Sequence, residues 1–393
     1  MHRQDQIAEA RTLFSYLDGR TTALADGVYR NPVTDYISAE QAAEEQELFF
    51  RHGAMTVGLS ALLPKPGDWM THDYSGVPLL FVRRGDGSLG AFLNVCRHRG
   101  ARVAVEGCGN GARDFTCPYH GWVYGLDGSL IARPEERSFA AEAERATHGL
   151  RPVPVAEKYG MIWVSPDPAA QFDVDHLLGG MGDELSAYGL DAYHHYETRV
   201  LRRKMNWKLA VDTFGETYHL QHLHPDTVSP LFYSNRCTFK AFGPNHRMVA
   251  ARRTFDELRG VPEAEWDVFN HTVVICVLFP NTVFTFQRDH VETWHFFPGD
   301  SVDEVVMYVS LYIPEPVDNP KAKQHWDNNF NLLMATVEME DFPTCEGMQH
   351  GFRSGAQDAI VFGRNEPALQ HFHRSVTDAL GAAAAARPRM AAE

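Results

Sequence analysis

Apolar and polar positions repeat with two different periods along this chain. Between residues 55 and 166 the period is two. Apolar runs at 79–83, 91–95, 122–124 and 160–164 are broken by the turn pairs Asp86-Gly87 and Asp127-Gly128, the pattern of antiparallel strands joined by hairpins. Outside that region the period lengthens. A helix is predicted over 38–50, opened by Ser38 and anchored by Leu48, Phe49 and Phe50. Others are predicted over 173–188, 206–220, 320–352 with an interruption near Pro343, and 366–385. Strands recur at 197–204, in three runs within 272–297 broken at Pro280-Asn281 and Arg288-Asp289, and at 305–313. The alanine-rich end, 382–393, is expected to fray.

Composition narrows the class. A chain of 393 residues with 44% apolar and 22% charged positions has the make-up of a globular protein of two or three domains. A net charge of −15 argues against binding nucleic acid or an anionic membrane surface. The longest apolar stretch, 273–279, is too short to span a bilayer, and the first twenty residues lack the apolar core of a signal peptide. Cys108, Cys237, Cys276 and Cys345 are scattered and read as structural thiols, Cys108 in a glycine-rich surface loop. A reducing, cytoplasmic setting is expected.

The chemistry is concentrated in two places. Cys96-Arg-His98 and Cys117-Pro-Tyr-His120 supply two thiolates and two imidazoles from two loops. That is the ligand set of a Rieske [2Fe–2S] centre, where two His replace two Cys on one iron. A Cys₂His₂ zinc site is the alternative, but zinc fingers usually pair like with like. Here each arm carries one of each.

The second place is the segment 206–225, which holds Asp212, Glu216, His219, His222, His224 and Pro225. On a helix Asp212, Glu216 and His219 would share a face, and Pro225 should end that helix near His224. Two imidazoles and a carboxylate would leave open positions on a ferrous ion. Spacing alone leaves His222 as a possible ligand and the carboxylate undetermined.

Together these motifs resemble the Rieske non-haem iron ring-hydroxylating oxygenases, in particular their catalytic α subunits. The matching residues are Cys96-x-His98-Arg-Gly, Cys117-Pro-Tyr-His120-Gly-Trp122, Asn206-Trp-Lys, Glu216-x-x-His219-x-x-x-x-His224-Pro225, and Glu340-Asp341 followed by Glu346 and Gln349. The resemblance implies an α+β fold with an N-terminal antiparallel β Rieske domain and a larger C-terminal catalytic domain, its antiparallel sheet surrounded by helices. The corresponding boundaries are 1–54 for a helical segment packing on the catalytic domain, 55–166 for the Rieske domain and 167–393 for the catalytic domain. It implies Cys96, His98, Cys117 and His120 as cluster ligands, and His219, His224 and Asp341 as ligands of one Fe(II). Glu216 falls where the family has an acid bridging an iron-binding histidine to His120 of the neighbouring subunit, with Asp212 as an alternative bridge.

The implied activity is that of a terminal oxygenase using O₂ to dihydroxylate, monooxygenate or demethylate an aromatic or related small molecule. Electrons would come from NAD(P)H only through a separate reductase, with or without a ferredoxin, since no G-x-G-x-x-G run follows a strand here. A head-to-tail homotrimer is implied, with or without a β subunit. A Rieske electron carrier without oxygenase activity is the competing reading. An apolar substrate cavity is expected, with Val277, Leu278, Phe279, Thr282, Phe284 and Phe286 as candidate lining, although such residues are more often plain core.

Overall fold

The computed structural model describes residues 1–139 and 144–386. The expected fraying beyond residue 386 lies outside them. The chain forms two units, one of residues 45–174 and one joining residues 1–44 to 175–393. The sequence reading put the breaks at 54 and 166. Residues 45–54 belong with the smaller unit because they are tied to it: Gln46 Nε2 donates to the Ser75 carbonyl at 2.6 Å, and Ser165 Oγ donates to that of His52 at 3.1 Å. The helix expected over 38–50 runs as Ala39–Glu45 and then widens into a π-turn, Gln46–Arg51.

The strands described in the smaller unit are antiparallel and form three small sheets. Leu79–Arg83 is buried along its whole length between Leu89–Leu93 and Trp69–His72. A third sheet, Asp114–Thr116, Val123–Gly125 and Leu130–Ala132, carries the second Cys/His loop. Leu80, Val82, Phe92, Trp122 and Tyr124 form the core, and the thiols of Cys96 and Cys117 are part of it.

In the larger unit a seven-stranded antiparallel sheet runs in the order His194–Arg203, Val305–Ile313, Val291–Pro298, Thr282–Phe286, Thr272–Leu278, Asn245–Arg252, Phe232–Phe242. The first and last of these are the sheet's two edges, yet only residues 204–231 separate them in the chain. That segment must therefore cross the sheet, and it carries His219 and His224. Its helix Trp207–Asp212 packs on the strands Val291–Pro298 and Val305–Ile313.

Four features differ from the sequence reading. The strands Phe232–Phe242 and Asn245–Arg252 were not expected, because polar Ser234, Asn235 and Arg236 fall where the register slips between Phe232 and Cys237. The N-terminal helix Arg3–Asp18 did not show in the periodicity, since it buries only Ala10 and Leu13; it was implied only as part of the helical segment 1–54. The helix over 173–188 is split into Val174–Leu178 and Gly182–Ser186, because Gly179 and Gly180 adopt φ of +56° and +95°, closed to other residues at little cost. The 206–220 helix ends at Asp212. No helix among the described residues is long and apolar enough to cross a membrane.

Candidate metal centres

Two loops in the smaller unit share one backbone template. The Cys96 N–H donates to the Ala101 carbonyl at 2.7 Å, and the Gly100 N–H returns to the Cys96 carbonyl at 2.9 Å. The Cys117 N–H donates to the Trp122 carbonyl at 2.7 Å, and the Gly121 N–H to the Cys117 carbonyl at 3.0 Å. Both loops close on a left-handed glycine, Gly100 at φ +82° and Gly121 at φ +69°. The repeated Cys-x-x-x-Gly was visible in the sequence, although the differing His spacings obscure it.

The template segregates the ligands. The two thiols lie side by side, and both are buried; burial is the main reason the Cys117 thiol is pushed up. The two imidazoles meet edge to face with ring centroids 4.5 Å apart and are only half-buried. A sulfur pair inside and an imidazole pair outside suits a two-iron cluster with Cys₂ on one iron and His₂ on the other. His98 Nδ1 is buried and has no hydrogen-bond partner among the described residues, as expected of an atom reserved for a metal. Burial first, then His120 and Arg99, hold His98 below its usual pKa, which keeps it neutral as a ligand must be. Trp122 stacks on His98 at 4.9 Å. Tyr124 O–H, which accepts from the Arg97 N–H at 3.0 Å, lies 3.2 Å from Cys96 Sγ and is free to donate to it.

The larger unit assembles a second group from two distant segments. Asn206 caps the helix Trp207–Asp212 by accepting the Lys208 N–H, so it has a structural role. The chain then leaves the helix. Glu216 accepts the Tyr218 and His219 N–H groups with one oxygen, taking backbone donors that a continuing helix would use. Asp212, Glu216 and His219 are therefore not on a common helical face. The short helix Leu220–Leu223 ends before Pro225, as expected, and leaves His224 at φ −116°, ψ 42°. His222 is exposed, while His224 is buried.

The carboxylate partner comes from the interrupted helix. Pro320–Thr336 passes through a π-turn, Val337–Asp341, into Phe342–Phe352. Pro343 has no N–H to offer the carbonyl four residues back, so the ladder slips there and presents Glu340 and Asp341 together. Glu346 and Gln349 anchor the following turn. They accept the Lys204 N–H at 3.0 Å and the Asn206 N–H at 3.1 Å, which ties this helix to the start of the crossing segment.

His219, His224 and Asp341 converge, with one ligand atom from each within 4.8 Å of the others. His219 Nδ1–H donates to Glu216 Oε1 and His224 Nδ1–H to Glu340 Oε2, each at 2.5 Å. A neutral imidazole has one N–H, so with Nδ1 protonated both Nε2 lone pairs face Asp341 Oδ1, at 3.6 and 3.2 Å. In the neutral form these lone pairs call for a cation among them, whereas a protonated His224 donates Nε2–H to Asp341 Oδ1 instead. Carboxylates on the outer nitrogens are the usual supports of metal-bound histidines. Burial opposes charge on His224, but Asp341 and Glu340 outweigh it and raise its pKa. The donor set fits a divalent iron with open positions.

Asp212 is engaged elsewhere. It accepts from Tyr36 O–H at 2.7 Å and from His373 Nε2 at 2.8 Å.

A cavity of about 150 Å³ opens on this group. Its walls include Phe214, Phe232, Val273, Ile275, Thr285 and Gln287. The expected lining was of the wrong residues: Phe284 and Phe286 alternate with Thr285 and point to the other face of the sheet. A second cavity, about 240 Å³, touches His219, Glu216 and Asp341 as well as Asp212 and Glu366.

Residues 54–153 match the Rieske [2Fe-2S] domain, and residues 190–382 match the ring hydroxylating alpha subunit catalytic domain. The glycine betaine monooxygenase oxygenase subunit of Chromohalobacter salexigens is 30% identical over 229 residues, 58% of this chain and 50% of that protein. Choline monooxygenase of Beta vulgaris, a chloroplastic protein, is 27% identical over 87% of this chain and 75% of its own length. The chain thus aligns with about half the length of the first relative and three quarters of the second. The solved structure of the quaternary ammonium Rieske monooxygenase CntA superposes with a TM-score of 0.76 at 21% identity, covering 89% of this chain and 96% of that one, so the two share a fold. With both domains matched in order, the chain belongs to the Rieske ring-hydroxylating oxygenases, as an alpha subunit carrying a Rieske domain and a catalytic domain.

Proposed function

We propose that this protein is the terminal oxygenase of a multicomponent system and monooxygenates a small N-methylated ammonium compound rather than a hydrocarbon ring. The observation that carries it is the pair of Nε2 lone pairs and the Asp341 carboxylate exposed to one small cavity. The names of the glycine betaine and choline relatives support the substrate class. The overall change takes a C–H bond, O₂, two electrons and two protons to C–OH and water.

When bound, a ferrous ion held by His219, His224 and Asp341 supplies the oxygen-activating chemistry. The chain's own residues do the rest. Glu216 and Glu340 fix both imidazoles in the tautomer that presents Nε2. The apolar walls exclude water from the reacting C–H bond. Cys96, His98, Cys117 and His120 hold a [2Fe-2S] cluster that receives electrons from a separate reductase, directly or through a ferredoxin. Glu216, already on His219 and 13% exposed, is the better-placed bridge to His120 of a neighbouring copy in a head-to-tail trimer. Asp212 is spoken for by Tyr36 and His373. The six unpaired cysteines suit a reducing compartment such as the cytoplasm.

Metal analysis tests this reading against a plain electron carrier. Three irons per chain, one removable by mild chelation without loss of the cluster's visible absorption, are expected. Two irons per chain in fully loaded protein would leave only the carrier.

A further inference from the structure

A buried cation backs the second Cys/His loop. The segment 133–139 lies along that loop. A Cβ on Gly121 would come within 3.3 Å of Pro134 Cγ, and Phe139 meets His98 and Trp122 edge-on, at 5.6 and 5.4 Å between ring centroids. Arg133 completes the packing. Its guanidinium carbon lies 5.3 Å from the centre of the Trp122 ring and 4.6 Å from that of Phe139. Trp122 in turn stacks on His98, their planes 4° apart and their centroids 4.9 Å apart. The charge therefore lies within about 10 Å of that imidazole, close enough for Coulomb interaction to matter inside a protein.

Arg133 differs from the other cations beside the loops. Arg97 and Arg99 flank His98 but are exposed, so solvent and salt screen them. The Arg133 side chain is 1% exposed. Its ion-pair partner Glu136, at 3.0 Å, is 47% exposed and is shared with Arg145 at 3.6 Å. The carboxylate faces water while the guanidinium faces the rings, so the two charges do not cancel fully towards the loop. A guanidinium keeps its charge in any protein site, and burying one is costly. Packing alone does not call for it, since a methionine would fill the same space without that cost.

We propose that Arg133 raises the reduction potential of the cluster held by Cys96, His98, Cys117 and His120, by placing a fixed positive charge behind Trp122 and His98. Reduction adds one electron to the cluster, and a cation nearby stabilises the reduced form. The electron comes from the separate reductase, directly or through a ferredoxin, and a higher potential favours its arrival. Across an effective dielectric of ~20, one charge at about 10 Å is worth roughly tenfold in the reduced-to-oxidised ratio. Arg133 touches no reacting atom and is a positioning residue, acting through Trp122 and His98. The inference rests on the cluster assignment in the reading above and deepens it; the substrate and the mononuclear iron do not enter.

Redox titration of the intact, cluster-loaded protein at low salt, followed by the cluster's visible absorption, tests the idea without turnover. Arg133→Met keeps the bulk against Trp122 and removes the charge. At the wild-type midpoint its reduced-to-oxidised ratio should be about tenfold lower, a fall of ~59 mV for one electron. Arg133→Lys should stay within about threefold of wild type. Glu136→Gln removes the exposed carboxylate and leaves Arg133 in place, so it should shift the other way, to a ratio about two- to threefold higher. Equal potentials for the Met and Lys variants would overturn the proposal, since the charge would then not matter. So would an unchanged or lower potential in Glu136→Gln, which also decides the question if Arg133→Met fails to keep a cluster. Wild-type protein loaded with iron and sulfide that lacks the Rieske absorption would sink the cluster assignment itself, whereas a normal spectrum with unmoved potentials sinks only this inference.

Discussion

The two candidate metal centres are built in opposite ways. In the smaller unit each ligand pair sits in a loop of six residues whose own backbone hydrogen bonds close it, Cys96 to Ala101 and Cys117 to Trp122. In the larger unit His219 and His224 lie in a segment with little regular structure, and Asp341 is more than a hundred residues away on a π-turn. A locally templated site keeps its geometry as long as its loop survives. A site assembled from distant segments depends on every contact that holds them together, here Glu216, Glu340, Glu346 and Gln349.

That difference can be broken most sharply by removing ligands. Asp341→Ala should lose the mononuclear iron and lower product formation by more than the ~10- to 100-fold typical of outer-sphere changes, with the cluster's visible spectrum intact. Cys117→Ser should do the reverse, abolishing the spectrum while a single iron remains bound. Bleaching of the cluster in Asp341→Ala protein would show that the centres are not independently built.

A smaller effect is expected one shell out. Glu340→Gln leaves His224 in place but removes the acceptor on its Nδ1–H. Iron affinity, measured by chelator competition, should fall roughly 10- to 100-fold. For the thiolates the comparable side chain is Tyr124, whose O–H lies 3.2 Å from Cys96 Sγ; the loops themselves are closed by backbone.

The loop template can be probed directly. Gly121 sits at φ +69°, and a Cβ there would lie 3.3 Å from Pro134 Cγ. Gly121→Ala should destabilise the smaller unit by about 1–2 kcal/mol, seen as earlier loss of cluster absorption on heating, without changing iron affinity in the larger unit.

A separate effect appears only in acid. Each unit buries a neutral histidine, His72 with its pKa lowered to about 4 and His246 to about 3, both by desolvation. The unfolded chain takes up these protons near pH 6.5 and the folded chain does not. Stability should therefore fall as pH drops from about 6.5 towards 4 for the smaller unit and towards 3 for the larger. His246→Phe should flatten the acid slope of the larger unit's melting temperature. An unchanged slope would assign the acid sensitivity elsewhere.

The candidate cluster residues were legible in the sequence because their geometry is local: residue spacing within a loop largely decides where its side chains can go. The mononuclear ligands were not. Helical periodicity over 206–220 suggested a common face for Asp212, Glu216 and His219, but Glu216 captures the N–H groups of Tyr218 and His219 and the helix ends early. The family resemblance, and not spacing, pointed to His219, His224 and Asp341 over His222. The candidate lining missed the wall in two ways: Phe284 and Phe286 alternate with the wall residue Thr285, whereas Val277 shares a face with Val273 and Ile275 but lies farther along its strand.

Read without its fold, the chain already specifies two Cys/His loops, strand-rich and helix-rich regions, and a histidine-rich segment ended by Pro225, since all of these follow from interactions between near neighbours. The tertiary structure alone decided which carboxylate meets which imidazole and that Asp212 serves Tyr36 and His373 instead. Those outcomes depend on how residues 204–231 cross the sheet and where the slipped helix lands. Such long-range placement is set by the packing of the whole unit and leaves no periodic trace in the order of residues.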